Sequence, residues 1–198
     1  MSASRPSSVP TTFRTTWRAR PRSLFLEGYL YDKDKGKAAF ERAAQLCRAA
    51  GGQAGITLSD PFCVDRHRAD FRRLVQDLDF VLGNEHEWCS LYETDDLGAA
   101  LEQAARESGL IVCTRSGHDV VLVRGDEEAV VPVEEAKVVD ATGAGDQFAA
   151  GFLYGLATGA TLETCGRMGV IAAREVIGHL GPRPEHEVMA LFAKEGLA

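Results

Sequence analysis

The first 22 residues hold no aspartate or glutamate, and the whole chain lacks a Cys-x-x-Cys pair, a long apolar run and a P-loop. Each absence excludes something. Five arginines (Arg5, Arg14, Arg18, Arg20, Arg22) give residues 1–22 a charge of +5. The formal net charge of the 198-residue chain is −7, so the remaining 176 residues carry −12. An acidic body argues against general binding to nucleic acid or to an anionic membrane surface. Cys47, Cys63, Cys89, Cys113 and Cys165 are odd in number and not spaced as a metal or disulfide framework. They read as reduced structural thiols of a cytoplasmic protein. No apolar run approaches the roughly 18 residues of a membrane span. A composition 45% hydrophobic and 26% charged excludes a collagen, a rod and a largely disordered chain, and leaves enough apolar side chains for one core.

Met1–Arg22 is rich in Ser, Thr, Pro and Arg and has neither helical nor strand periodicity, so it reads as a disordered or atypical basic arm. Its acid-free, Arg- and Ser-rich character also resembles an organelle transit peptide, although Pro6, Pro10 and Pro21 interrupt any amphipathic helix.

From Ser23 onward, short apolar runs alternate with helical patterns. Strands are predicted at Ser23–Glu27, Ala54–Leu58, Asp79–Leu82 and Leu110–Cys113, with a hairpin of Val120–Val123 and Ala129–Val133. Helices are predicted at 33–50, 64–76, 85–92, 96–108 (capped by Thr94 or Asp95), 143–156, 162–177 and 185–194. Alternation of this kind predicts βαβ units and a doubly wound, largely parallel α/β sheet, whose ligands sit beyond the carboxyl ends of the strands. The post-strand residues Ser59-Asp60, Asn84–Glu87, Thr114–Gly117 and Asp140–Asp146 are therefore the places to look.

Asp140-Ala-Thr-Gly-Ala-Gly-Asp146 is the most informative stretch. Small residues before a helix let backbone N–H groups approach an anion, and the helix N-terminus adds partial positive charge. Asp146 falls in the first turn, placed to accept a proton from a hydroxyl attacking a phosphoryl group. The dinucleotide pattern GxGxxG fails at Phe148, which disfavours a Rossmann oxidoreductase. Taken alone, the glycines also fit a tight turn with Asp146 as a helix cap. Asn84 and Glu87 likewise fit a cap, and the Arg66–Arg73 cluster fits either an anion patch or a solvated helix face. His86, His118, His179 and His186 read as surface residues.

Asp140–Phe152 (DATGAGDQFAAGF) closely resembles the second signature of the ribokinase-like (PfkB) carbohydrate and nucleoside kinases. Asn84-Glu-His-Glu87 resembles that family's Asn-x-x-Glu motif, and Leu26–Leu30 with Leu58–Arg68 resemble bacterial adenosine-kinase-like members. The resemblance implies ATP-dependent phosphorylation of a hydroxymethyl group on a nucleoside, adenosine-like, or a sugar. It implies Asp146 as general base and the N–H groups of Gly143, Ala144 and Gly145 as the phosphoryl cradle. Glu87, with Asn84, would position Mg²⁺ through water. Asp140 and Thr142 would hold a monovalent cation such as K⁺. Thr114 and Ser116 would meet the nucleotide phosphates, with the base against Ala172, Ala173 and Gly181. A homodimer is compatible with the reading.

Two departures stand out. Asp119 occupies a place near the phosphates where the family usually has glycine. Family members also carry first strands, a small β lid and sugar-holding glycine and aspartate positions before the equivalent of Ser23, and none of these is recognisable in Met1–Arg22. The expectation is a C-terminal, nucleotide-binding portion over residues 23–198, its acceptor site largely missing and one sheet edge exposed. The competing expectation is a catalytically incomplete remnant that binds nucleotide or a partner chain.

Overall fold

The computed structural model describes residues 23–197; the arm expected over residues 1–22 lies outside them. In chain order the elements are β1 (Ser23–Glu27), a 3₁₀ turn (Gly28–Asp32), α1 (Asp34–Ala49), β2 (Gln53–Thr57), α2 (Pro61–Asp77), β3 (Phe80–Asn84), α3 (Glu85–Tyr92) and α4 (Leu97–Glu107). They continue with β4 (Ile111–Arg115), β5 (His118–Arg124), β6 (Glu127–Val131), α5 (Ala144–Thr158), α6 (Leu162–Ile177) and α7 (Val188–Lys194). The strands form one six-stranded sheet in sequence order. Strands β1 to β4 run parallel, and β5 and β6 are added antiparallel.

The period-2 alternation of side chains along each strand divides the core into two layers. Ala54, Ile56, Val81, Ile111 and Cys113 face one layer, filled from α1 to α4 by Phe40, Phe71, Trp88 and Leu101. Phe80, Leu82, Val112, Val120 and Leu122 face the other, filled from α5 and α6 by Phe148, Phe152, Leu162 and Cys165. Helices on both faces make this the doubly wound α/β sheet expected. The five cysteines are free, four of them buried. No helix among the described residues is long and apolar enough to cross a membrane.

Several boundaries differ from expectation, and three of the differences have a clear local reason. Helix α2 begins at Pro61 and not at Val64. Asp60 caps it, its Oδ1 accepting from Cys63 N at 2.7 Å, and a proline at the first helical position loses no bond. Helix α4 is capped by Asp96, which accepts from Ala99 N; Thr94 instead accepts from Asp96 N. Ser116 and Gly117, at φ of 40° and 95°, close a tight turn between β4 and β5, so β5 starts at His118. Two successive positive φ angles match the twist of a hairpin.

The arginine cluster on α2 is an ion-paired helix face and not an anion patch. Arg66 pairs with Asp32, Arg68 with Asp65 and Glu93, Arg72 with Glu107, and Arg73 with Glu41 and Asp70. Donor atoms of Asp32, Cys63 and His67 lie within 4.8 Å of one another. Arg66 nevertheless engages both Asp32 oxygens at 3.1 Å, and a guanidinium there opposes a cation.

Helices α5 and α6 approach closely through glycine. A Cβ at Gly151 would fall 2.3 Å from the Met168 carbonyl oxygen, which is backbone and cannot turn aside. Alanine is favoured over glycine in a helix by about 1 kcal/mol, whereas overpacking costs about 1–3 kcal/mol. Gly151→Ala is therefore expected to destabilise the protein, read as a lower urea midpoint at unchanged m-value. A raised midpoint would show that the two helices separate freely.

Candidate active site

The carboxyl ends of the parallel strands open into a cleft of about 400 Å³. Glu27, Thr57, Asn84 and Thr114 line it from the ends of the four parallel strands, Tyr29 and Ser59 from the loops that follow, and Gly145, Asp146, Phe148 and Ala149 from α5. Register puts Glu27 beside Thr57, and Asn84 beside Thr114. The cleft thus gathers Asn84, Glu87, Thr114, Gly145 and Asp146, which the sequence places far apart.

Asn84 and Glu87 form a reciprocal capping box. Asn84 Oδ1 accepts from Glu87 N at 3.0 Å, and Glu87 Oε2 accepts from Asn84 N at 2.8 Å. Asn84 Nδ2 also donates to Glu87 Oε1 at 2.6 Å. Gly83 makes room, since a Cβ there would meet Leu58, Trp88 and Glu87. The Glu87 side chain is only 4% exposed. Burial pushes its carboxyl up to about 7, against the Asn84 N–H bond that favours the anion and with the nearby Asp60 charge that opposes it. A cap alone does not need such burial.

Gly143, at φ 83°, is the N-cap of α5. A Cβ there would lie 2.6 Å from Pro182 Cβ, so both conformation and packing demand glycine. The Ala144 N–H donates to the Ala141 carbonyl at 3.1 Å. Among the described residues, no acceptor takes up the N–H groups of Gly145 and Asp146. A Cβ at Gly145 would meet nothing within 4 Å. Glycine there is not required by packing and leaves the N–H open to the cleft. Asp140 holds the turn from behind: Oδ1 accepts from Thr142 N and Oδ2 from Gly181 N, both at 2.9 Å. Hydrogen bonds from the Thr142 side chain and then from the Gly181 and Thr142 N–H groups hold its carboxyl down to about 2.

On the far wall, Ser59 adopts φ 75°, an uncommon value for a residue with a Cβ. A hydrogen bond to Asp60 raises the Tyr29 hydroxyl to about 12. Burial pushes the Asp60 carboxyl up, but Tyr29 and the N–H groups of Cys63 and Phe62 outweigh it and hold the group below its ordinary value.

The lining carries Glu27, Glu87 and Asp146 and, among the described residues, no lysine or arginine. An acidic cleft with free N–H groups at one end suits an anion only when a cation accompanies it. The lining therefore suits a phosphate ester accompanied by a divalent metal, for which Glu87 could serve as the buried carboxylate donor.

Other expected site residues fall elsewhere. Ser116 lies at the exposed β4–β5 turn, outside the cleft lining, and Asp119 is an exposed residue of β5. Ala172 is 1% exposed and presents no face to a ligand; Ala173 and Gly181 are only partly buried. His179 and His186 are not bystanders: both contact Glu175, and the His179 side chain is 13% exposed. Sequence reasoning missed Phe25, Glu27 and Tyr29. The rule that ligands sit beyond strand ends applied equally to the end of Ser23–Glu27.

The sequence profile described as "pfkB family carbohydrate kinase" matches residues 17–188. The chain belongs to the pfkB carbohydrate kinase family. A probable sugar kinase from Rhizobium etli superposes with a TM-score of 0.87 at 39% identity, over 89% of this chain and 55% of that one. The adenosine kinase from Sinorhizobium meliloti gives 0.85 at 41% identity, over 88% and 54%. An uncharacterised sugar kinase of Archaeoglobus fulgidus is 35% identical over 120 residues, 60% of this chain and 48% of the relative. The pfkB chain thus spans about half the length of the relatives it matches.

Glu87 makes stability depend on pH. Below about 4.5 its carboxyl is neutral both folded and unfolded; between 4.5 and 7 only the unfolded chain ionises freely, which favours unfolding. Its contribution is therefore expected to fall by roughly 3 kcal/mol as pH rises through that window, at about 1.4 kcal/mol per unit. Glu87→Gln is expected to remove this component from the pH dependence of the unfolding free energy measured in urea. An unchanged profile would show that Glu87 titrates normally.

Proposed function

We propose that residues 23–198 form the nucleotide-binding portion of a kinase that moves the γ-phosphoryl group of ATP to a hydroxymethyl group of a nucleoside, adenosine-like, or of a sugar. The observation that carries this reading is the position of Asp146. Asp146 lines the cleft next to Gly145, in the first turn of α5 and within the same lining as Glu87.

Asp146 accepts the proton of the acceptor hydroxyl as that oxygen bonds to the γ-phosphorus. The bond from the γ-phosphorus to the bridging oxygen breaks, and ADP leaves with the electron pair. A carboxylate is a far weaker base than an alkoxide, so the proton moves late, once the oxygen has begun to bond. The N–H groups of Gly143, Gly145 and Asp146 stabilise charge on the transferring group; Ala144 joins them only by giving up its bond to Ala141. Asn84 orients Glu87, and Thr114 adds a hydroxyl at the end of β4. Glu87 would hold Mg²⁺, which would supply neutralisation of phosphate charge. The carboxylate of Asp140, ionised throughout the physiological range, and Thr142 suit a monovalent cation such as K⁺. The base lies towards Ala173 and Gly181. Cytoplasmic location and a homodimer are part of the same reading.

A second reading is nucleotide binding without turnover. The fact that favours it is coverage of only about half of each relative. Purified chain with ATP, Mg²⁺, K⁺ and adenosine or a sugar panel is expected to release ADP. Asp146→Asn is expected to lower turnover by about 100-fold or more while leaving the ATP dissociation constant within about threefold. Equal turnover in that variant would remove Asp146 as the base. ATP binding without turnover on any acceptor would favour the second reading.

A further inference from the structure

Residues 178–187, between α6 and α7, contain no regular structure. Two carboxylates supply most of their hydrogen bonds to the rest of the protein. One is Asp140, which accepts from Gly181 N. The other is Glu175, in the last turn of α6. Its Oε1 accepts from Glu185 N and His186 N, both at 2.9 Å, and meets His186 Nδ1 at 3.0 Å. Its Oε2 faces His179 Nε2 at 3.4 Å. Gln147 Nε2 adds a longer bond to the Pro182 carbonyl at 3.4 Å.

Glu175 is an unusual residue for its place. Its side chain is 4% exposed, and no lysine or arginine pairs with it among the described residues. A carboxylate in the last turn also opposes the helix dipole. Burial and position both disfavour it, and the groups that offset the cost come from the loop and its histidines. The middle of that loop presses on the anion-binding turn. Gly181 N holds Asp140 Oδ2, and Pro182 packs where a Cβ at Gly143 would stand.

We propose that Glu175 is a positioning residue for the nucleotide site: it clasps the 178–187 loop so that Gly181 and Pro182 fix Asp140 and Gly143. It thereby sets nucleotide affinity and the placement of the Gly143 N–H, without touching Asp146. The consequence for ATP rests on the kinase reading; the clasp itself does not.

Hydrogen exchange on the full chain tests the clasp directly. In Glu175→Ala the Glu185, His186 and Gly181 amides are expected to exchange at least about tenfold faster, as loss of bonds to a charged acceptor implies, while β3 and β4 amides keep their protection. Titration with ATP and Mg²⁺ is expected to show a dissociation constant raised about tenfold or more. Where turnover is measurable, KM for ATP rises in step, and kcat falls as well, because the Gly143 N–H is no longer held in place. Glu175→Gln keeps one carbonyl oxygen for the Glu185 and His186 amides, so affinity and protection return to within about threefold of the parent. Should the alanine variant not fold, Glu175→Asp, whose shorter side chain withdraws from those amides, carries the alanine expectation. Released Glu185 and His186 amides with Gly181 protection and ATP affinity unchanged would overturn the proposal. So would a glutamine variant as impaired as alanine. Absence of ATP binding by the parent chain would refute the kinase reading, and Gly181 exchange would still decide the clasp.

Discussion

The parallel pairing of β1 to β4 in one register is the constraint on which the rest depends. Side chains alternate faces at every residue, so a slip of one position would turn Ile56, Val81 and Ile111 away from α1–α4 and Phe80 and Val112 away from α5 and α6. Close fits pin the register. Gly55 leaves the space that the Phe80 ring occupies, where a Cβ would lie 2.1 Å from it. Once the strands are aligned, their carboxyl ends share one edge, and Glu27, Thr57, Asn84 and Thr114 line the cleft together.

That edge is acidic, and what it offers an anionic group is backbone dipoles instead of side-chain cations. Open N–H groups at the start of α5 supply partial positive charge, and the buried Glu87 is a carboxylate that could serve a metal. The net negative charge of the body is compatible with a phosphate ester for this reason. Carboxylates also shape the cradle from behind. Asp140 ties the turn to Gly181, and Glu175 ties the same loop to α6.

Much of this was legible in the sequence. The apolar runs and glycine stops locate the strands and helices, because period and punctuation are local properties. The DATGAGD stretch and Asn84-x-x-Glu87 mark the chemistry, because an N–H cradle and a capping box are built from neighbours in the chain. Boundaries were less legible where three candidate caps compete within a few residues, as Thr94, Asp95 and Asp96 do ahead of α4. Pro61 lay outside the helix expected over 64–76 and is its first residue, since the capping bond of Asp60 sets the start there. Tyr29 carries no local signal; its place in the cleft follows from β1 lying next to β2.

The sequence alone marks the element order, the two-layered pattern, the glycine-rich turn before α5 and Asp146 as the carboxylate beside it. Tertiary structure alone decided which of the marked residues meet. It buried Ala172, left Ser116 outside the cleft lining and brought Glu27 and Tyr29 into it. It also turned Glu175, His179 and His186 from scattered polar residues into one hydrogen-bonded cluster. The physical reason is range. Backbone propensity, capping and period act within about a turn or two of chain, whereas burial, register and shared acceptors depend on elements that are distant in sequence and adjacent only after folding.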